Sequence, residues 1–364
     1  MGTVEHRFPC TTCGADLRFD PGDDQLVCDH CGSTEPIDHG PWQRATAVQE
    51  QDFRRAVEAG LGTAEMEEAR TSTCPNCAAQ IEFDDAVHST ECPYCATPVV
   101  TDTGTARQIK PKGVLPFMLE EAEARGAMTR WLGSLWFAPG GLMEYARKGR
   151  QMNGVYTPCW TFDAETESDY RGQRGTVYYE KRRVTRNGKT ETVRVQKVRW
   201  KPARGRVARF FDDVLIVAST ALPEKFRQVL VHWDLTRLEP YQPEYLAGFR
   251  AEAYTIELKD AYFEAREIMD RQILRDVRFD IGGDKQRVDD IQTRVSDVTF
   301  KHILVPVWVA AYKYRGKSFR FVVNGQNGQV SGERPWSAWK IFFAVLAALI
   351  LAAIFGYLYG TGEF

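Results

Sequence analysis

Apolar residues recur with a helical period in three stretches of the chain. Residues 44–70 predict a helix, weakened by Gly60 and Gly62. A second helix is expected from Pro116 to about Phe137, with Glu120, Glu121 and Glu123 suited to its positive N-terminal end. The third, capped by Thr255 and running to about Phe279, gathers Leu258, Ala261, Tyr262, Ala265, Ile268, Met269 and Ile273 into one apolar stripe. Strand-like alternation fills 154–218 and 295–331, with turns at Arg315-Gly316 and from Asn324 to Gly328. Arg186-Asn187-Gly188-Lys189 is a two-residue hairpin signal, because Asn and Gly tolerate the positive φ angles that match strand twist. Val193 and Val195 keep one phase while Val198 and Trp200 keep the other, which predicts a bulge near Gln196 and Lys197. Pro158-Cys159-Trp160 followed by Tyr170-Arg171-Gly172 is echoed by Pro306-Val307-Trp308 followed by Tyr314-Arg315-Gly316. The echo reads either as a duplicated strand–hairpin unit or as chance.

The last apolar run has no such period. From Ile341 to Tyr359 the chain is uncharged, and as a helix it measures about 28 Å, close to a bilayer's hydrocarbon thickness. Trp336 and Trp339 flank one end, Tyr357 and Tyr359 the other, as interfacial aromatics do. Lys317, Arg320, Arg334 and Lys340 precede the run and no Lys or Arg follows it, which predicts a tail-anchored protein with its bulk in the cytoplasm. No charged n-region with a short apolar run opens the chain, so no signal peptide is expected.

A second repeat carries the chemistry. Shifting the sequence by 64 residues maps Cys10, Cys13, Cys28 and Cys31 onto Cys74, Cys77, Cys92 and Cys95, and maps Ala15, Leu17, Phe19 and Asp20 onto Ala79, Ile81, Phe83 and Asp84. Two Cys-x-x-Cys turns joined by a short hairpin offer four thiolates to a tetrahedral ion, the pattern of a zinc ribbon. With every ligand position filled by sulfur, the expected role of each Zn2+ is structural. Cys159 reads as a buried inert thiol, and His30 as exposed beside the ligand Cys31. His232 and His302 fall on an expected helix and strand with no ligand-spaced partner, which favours packing or surface roles. Asp163, Glu165, Glu167 and Asp169 alternate on one strand, readable as a solvated face or as a cation site.

Composition is that of an ordinary globular chain, 43% hydrophobic and 26% charged over 364 residues, long enough for several domains. Its charge is unevenly placed. Residues 1–103 carry 19 acidic against 6 basic side chains, whereas residues 181–209 carry 12 basic side chains against Glu191 alone. Phosphate is therefore repelled by the ribbons and attracted by the hairpin, whose expected contacts are solvent, anionic lipid, nucleic acid or an acidic partner. No phosphate-binding loop, nucleophile elbow or metalloprotease helix motif is present. The expected catalytic set is empty.

The double ribbon, Lys110–Phe117, Gly154–Ala164, Tyr170–Gly175 and the run from Val323 to Lys340 before an apolar end resemble bacterial membrane-anchored zinc-ribbon proteins. Such relatives are labelled TFIIB-type zinc-ribbon or primosomal-helicase-like, and some are associated with phage-shock-protein-A-like and flotillin-like (SPFH) membrane-stress proteins. The chain departs from the commoner knuckle at Ala78 and Ala96, where the first ribbon has Gly14 and Gly32, which questions the tightness of those turns. The expected fold is multidomain α+β: zinc ribbon 1–40, helical linker 41–72, zinc ribbon 73–103, an α+β core 104–335 with a mainly antiparallel sheet and a basic hairpin 177–209, and a transmembrane anchor 336–364. The expected function is a non-enzymatic adaptor recruiting a protein partner to the bacterial inner membrane, in membrane stress; the alternative is nucleic-acid binding at the membrane through the hairpin.

Overall fold

The computed structural model describes residues 8–38, 49–62, 65–82, 89–95, 97–100, 105–139, 152–186, 189–227, 230, 232–314, 317–334 and 336–361. The first ribbon is a three-stranded antiparallel sheet of β1 (Arg18–Phe19), β2 (Gln25–Val27) and β3 (Thr34–Pro36). Of the described residues after it, 53–58 are helical while 51–52 and 66–73 are strand, a correction to the helix predicted over 44–70. β4 (Gln51–Asp52) leads into α1 (Phe53–Glu58), where Asp52 caps the Arg55 amide at 2.6 Å and Gly60 at φ +77° ends the turn. Met66–Thr73 form β5 instead of helix, because their backbone pairs with β6 (Gln80–Glu82) and β9 (Thr105–Ile109). Tertiary pairing overrides propensity here. Residues 44–48 and 63–64 lie outside the described residues. β7 (Ser89–Glu91) and β8 (Pro98–Val100) complete the second ribbon.

Three very long strands organise the core. β10 (Gly113–Val114) and α2 (Glu121–Ser134) precede β11 (Asn153–Arg186) and β12 (Lys189–Val217), which pair antiparallel from Cys159↔Val217 to Arg186↔Lys189. β13 (Glu239–Pro240), β14 (Arg250–Ala253) and α3 (Leu258–Ile281) lead to β15 (Lys285–Tyr314), β16 (Lys317–Asn324), β17 (Val330–Gly332) and the terminal α4 (Ala338–Thr361). The sheet is mixed, where a mainly antiparallel one was expected: β10 runs parallel to β15, and β14 parallel to β11. The Arg186↔Lys189 pair fits a two-residue turn, and Asn187 and Gly188, like Arg315, Gly316 and Ala96, lie outside the described residues.

Helix starts follow backbone demand. α2 begins at Glu121 and not near Pro116, because the amides of Leu115, Met118 and Leu119 bond Leu304 O and Gly325 O. Glu120 and Glu123 then close a capping box. Thr255 does not cap α3; its hydroxyl accepts from the Thr220 amide at 2.8 Å, and Glu257 occupies the cap position. The predicted stripe is buried at Leu258, Ala261, Ala265, Met269 and Ile273, continuing through Val277 to Ile281. The bulge falls not at Gln196 and Lys197 but between the pairs Phe162↔Val214 and Ala164↔Phe211, where Asp212 and Asp213 stand opposite Asp163, with Asp213 at φ 50°. Beyond Gly175 the hairpin has solvent on both faces, so no apolar phase needs correcting there. The Asn324–Gly328 turn forms as expected: Asn324 Oδ1 accepts from the Gln326 and Asn327 amides, and Gly328 sits at φ +73°.

The echo of Pro158-Cys159-Trp160 in Pro306-Val307-Trp308 belongs to a duplicated unit. Strand, helix and hairpin occur once as β10, α2, β11, β12 and again as β14, α3, β15, β16, the second hairpin pairing only from Val307↔Asn324 to Tyr314↔Lys317. Gly113 aligns with Ile303 on β15, and Arg250 aligns with Val155 on β11, so each unit's short strand lies along the other's hairpin. Trp160 Nε1 donates to Ile256 O, two residues before α3; Trp308 Nε1 donates to Leu119 O, two residues before α2, both at 2.9 Å. The central pair Thr157↔Val305 marks the pseudo-twofold axis.

Candidate metal centres

Each four-cysteine frame closes into a cluster whose sulfurs lie within 4.8 Å of one another. In the first, Cys10 and Cys31 Sγ are 3.6 Å apart and Cys13 and Cys28 Sγ 3.5 Å. In the second, Cys74 and Cys95 are 3.5 Å apart, as are Cys77 and Cys92. A tetrahedron of Zn–S bonds of about 2.3 Å has edges of about 3.8 Å, so a four-thiolate ion fits both sets. The turns that present the sulfurs share one hydrogen-bond frame. Cys10 N bonds Ala15 O and Gly14 N bonds Cys10 O; Cys74 N bonds Ala79 O and Ala78 N bonds Cys74 O. Ala78 keeps the turn tight by adopting φ 60°, the left-handed conformation of Gly14 at φ +75°. An L side chain there costs about 1 kcal/mol.

Two hydroxyls stand behind the sulfurs. Ser33 Oγ lies 2.9 Å from Cys10 Sγ and 3.1 Å from Cys31 Sγ, and Thr97 Oγ1 lies 3.2 Å from Cys95 Sγ. Sequence reasoning missed this pair, although the shift of 64 residues maps Ser33 onto Thr97.

The clusters differ in burial. Cys13 and Cys31 are exposed, while Cys74, Cys92 and Cys95 are buried and Cys77 half-buried. Both ribbons dock on the core, the first through Phe19 against Tyr245 and Phe249, but the second docks with a knuckle inward. β6 pairs with β14 through Ile81↔Glu252 and Gln80↔Ala253, and Tyr94, between two ligands, is driven fully into the core. Its hydroxyl donates to Glu252 Oε2 at 2.5 Å and lies 3.2 Å from Thr157 Oγ1. Ser219 Oγ donates to the other Glu252 oxygen at 2.6 Å. Burial pushes the Glu252 carboxyl up to about 8. At the matching place in the first ribbon stands His30, exposed as expected.

The other singled-out residues take structural places. Cys159 is fully buried and its thiol is pushed up by desolvation. His302 is buried between the Trp160 and Tyr254 rings with Nδ1 2.7 Å from Ile109 O, and burial holds it down at about 4. His232 lies in a loop and not on a helix, with its carbonyl accepting from Asn324 and Asn327 side chains. The acidic row divides. Glu165, Glu167 and Asp169 are exposed, the last two paired with Arg294 and Arg206. Asp163 is buried, accepts from the Asp213 amide at 2.6 Å, and is pushed up to about 7 by burial and by Glu50. Lys301 Nζ, 2.8 Å from Asp213 and 3.3 Å from Glu50, supplies the cation in that cluster.

The basic stretch becomes a projecting arm. β15 accompanies β11 only as far as Gly175↔Lys285, so residues 176–186 and 189–199 continue as a two-stranded ribbon. At its base Arg209 pairs with Asp276 and Arg206 with Asp169. Farther out Lys181, Arg182, Arg183 and Arg194 are exposed, and among the described residues none has a carboxylate partner.

Similarity to known proteins is confined to sequence. The chain is 25% identical over 336 residues to the uncharacterized protein YdjG of Bacillus subtilis (strain 168), covering 92% of this chain and 91% of that protein. No protein-family profile matches the chain, and no solved structure does. α4 is long and apolar enough to cross a membrane, from Ala338 to Tyr357, and none of that stretch is buried against the rest of the chain.

Proposed function

We propose that this chain is a non-enzymatic adaptor, anchored by α4 with its bulk in the cytoplasm, whose first ribbon recruits a protein partner and whose two clusters each hold a structural zinc. The unequal burial of the ribbons carries this reading. Both ribbons pack on the core, the first through Phe19 against Tyr245, but the second buries its Cys92–Cys95 knuckle there, whereas the first presents the tips of both knuckles, Thr11 to Gly14 and Asp29 to Gly32, to solvent. Asp16, Asp23, Asp24, Asp29 and Asp38 are exposed on the same ribbon. That surface suits a basic face on a cytosolic or peripheral membrane protein. Four sulfurs per ion leave no position for water or substrate, which favours a structural over a catalytic metal.

Three measurements test the reading. Elemental analysis of folded protein is expected to give two zinc ions per chain, and one or none refutes the assignment. A tag after Phe364 is expected to be protected from protease in inverted membrane vesicles while the ribbons are digested; an exposed tag overturns the topology. A photo-crosslinker at Thr12 in native membranes is expected to capture one protein partner that the same probe at Asn76, in the second ribbon, does not.

The arm supports a second reading, nucleic-acid binding, because its outer cations lack acidic partners among the described residues. Oligonucleotide affinity that falls steeply with salt and collapses on reversing Lys181, Arg182, Arg183 and Arg194 to Glu would put that reading first.

A further inference from the structure

An aromatic turn after α2 is joined to the beginning of α4. The helix ends at Ser134, and Leu135–Ala138 fold back with the Ala138 amide bonding Leu135 O at 3.0 Å. Ala138 is buried, yet Trp136 is 82% exposed. The Ser337 amide donates to Phe137 O at 2.8 Å, and Lys340 Nζ donates to Trp136 O at 3.1 Å and Ala138 O at 2.8 Å. Phe137 and Trp336 have ring centroids 6.4 Å apart, and the Arg334 guanidinium lies 4.1 Å over the Trp336 ring. A lysine at a helix end ordinarily extends toward headgroups, but this ammonium is held by the turn's carbonyls, so turn and first helical turn share one depth.

We propose that the turn 135–138 is a second membrane contact, with Trp136 seated among the lipid headgroups of the leaflet that α4 enters, level with Trp339. The proposal rests on reading α4 as a membrane span. Lipid is the occupant the chemistry selects: Trp136, Trp336 and Trp339 are all exposed, all carry one polar N–H on an apolar ring, and they adjoin the exposed apolar surface of α4. Indoles concentrate at the boundary between water and hydrocarbon for that reason. α2 hangs directly from the turn and packs on β16 through Trp131 and Phe321, so the contact fixes the core's orientation and not merely its tether.

The test places benzoylphenylalanine singly at Trp136, Phe343 or Phe279 in the full chain, reconstituted into phosphatidylethanolamine–phosphatidylglycerol vesicles. Phe343 lies in α4; Phe279 is 89% exposed at the far end of α3. After irradiation, lipid adducts are counted by mass. The expected result is adducts at 136 and 343, each several-fold above 279. Adducts at 343 with none at 136 overturn the second contact while leaving the span intact. The absence of adducts at both positions overturns the span and the contact with it, and equal labelling at all three shows the turn to be no more lipid-directed than the core.

Discussion

The hydroxyls of Ser33 and Thr97 sit against cysteine sulfurs, and with a metal bound the Ser33 hydroxyl would donate to the Cys10 thiolate and steady its charge. Ser33→Ala is expected to lower metal affinity at the first cluster by roughly 10-fold or more while leaving the second unchanged, as read by competition with a chromogenic chelator. Glu252 makes a prediction about pH. Its carboxyl is raised in the folded chain from 4.5 to about 8, so above pH 4.5 the unfolded state releases a proton that the folded state keeps. Stability therefore falls as pH rises from 4.5 toward 8 and levels off above it. Glu252→Gln retains the partners Tyr94 and Ser219 and removes the proton, so its melting temperature is expected to fall less across that range in metal-saturated protein. An unchanged slope would place the effect elsewhere. The two four-cysteine groups were legible in sequence because the repeated Cys-x-x-Cys spacing admits few other readings. Glu252 was not, since a lone Glu between Ala251 and Ala253 gains its meaning only from residues that pairing brings to it.

At the scale of elements, patterns that satisfy their own backbone were legible and those settled by partners were not. The stripe of α3, the Asn324–Gly328 turn and the hairpin register at Arg186 and Lys189 follow from local chemistry. β5 reads as helix and is strand, because β6 and β9 supply its hydrogen bonds. The bulge was misplaced by assuming that each valine needs a buried face, which a two-stranded arm in solvent does not provide. That same solvation predicts that reversing Lys181, Arg182, Arg183 and Arg194 to Glu changes the unfolding free energy by less than about 0.5 kcal/mol per site. Thermal or denaturant unfolding checks this, and a larger loss would mean that the arm packs against something.

For the whole molecule, the pseudo-twofold axis at Thr157↔Val305 was only half legible. The echo around Trp160 and Trp308 is short, and the helices that complete the repeat, α2 and α3, differ in length by ten residues, 14 against 24. Both ribbons pack on the duplicated core, but only the second buries a knuckle in it, so metal loss should be unequal too. Cys13→Ser is expected to release one ion with little change in the core's unfolding temperature. Cys92→Ser is expected to lower it by several degrees, because the Tyr94 contact with buried Glu252 depends on the second knuckle. Equal effects would show that the ribbons are energetically alike. The long strands have a geometric consequence of their own. β16 and α2, which adjoin the start of α4, lie at the end of β11 that begins at Asn153, and Arg186 lies at the other. With 34 residues between those ends at about 3.3 Å each, the strand is a boom of up to about 110 Å. Held upright on a membrane surface it would carry its cations beyond the reach of headgroup charge, whose field decays within about 10 Å.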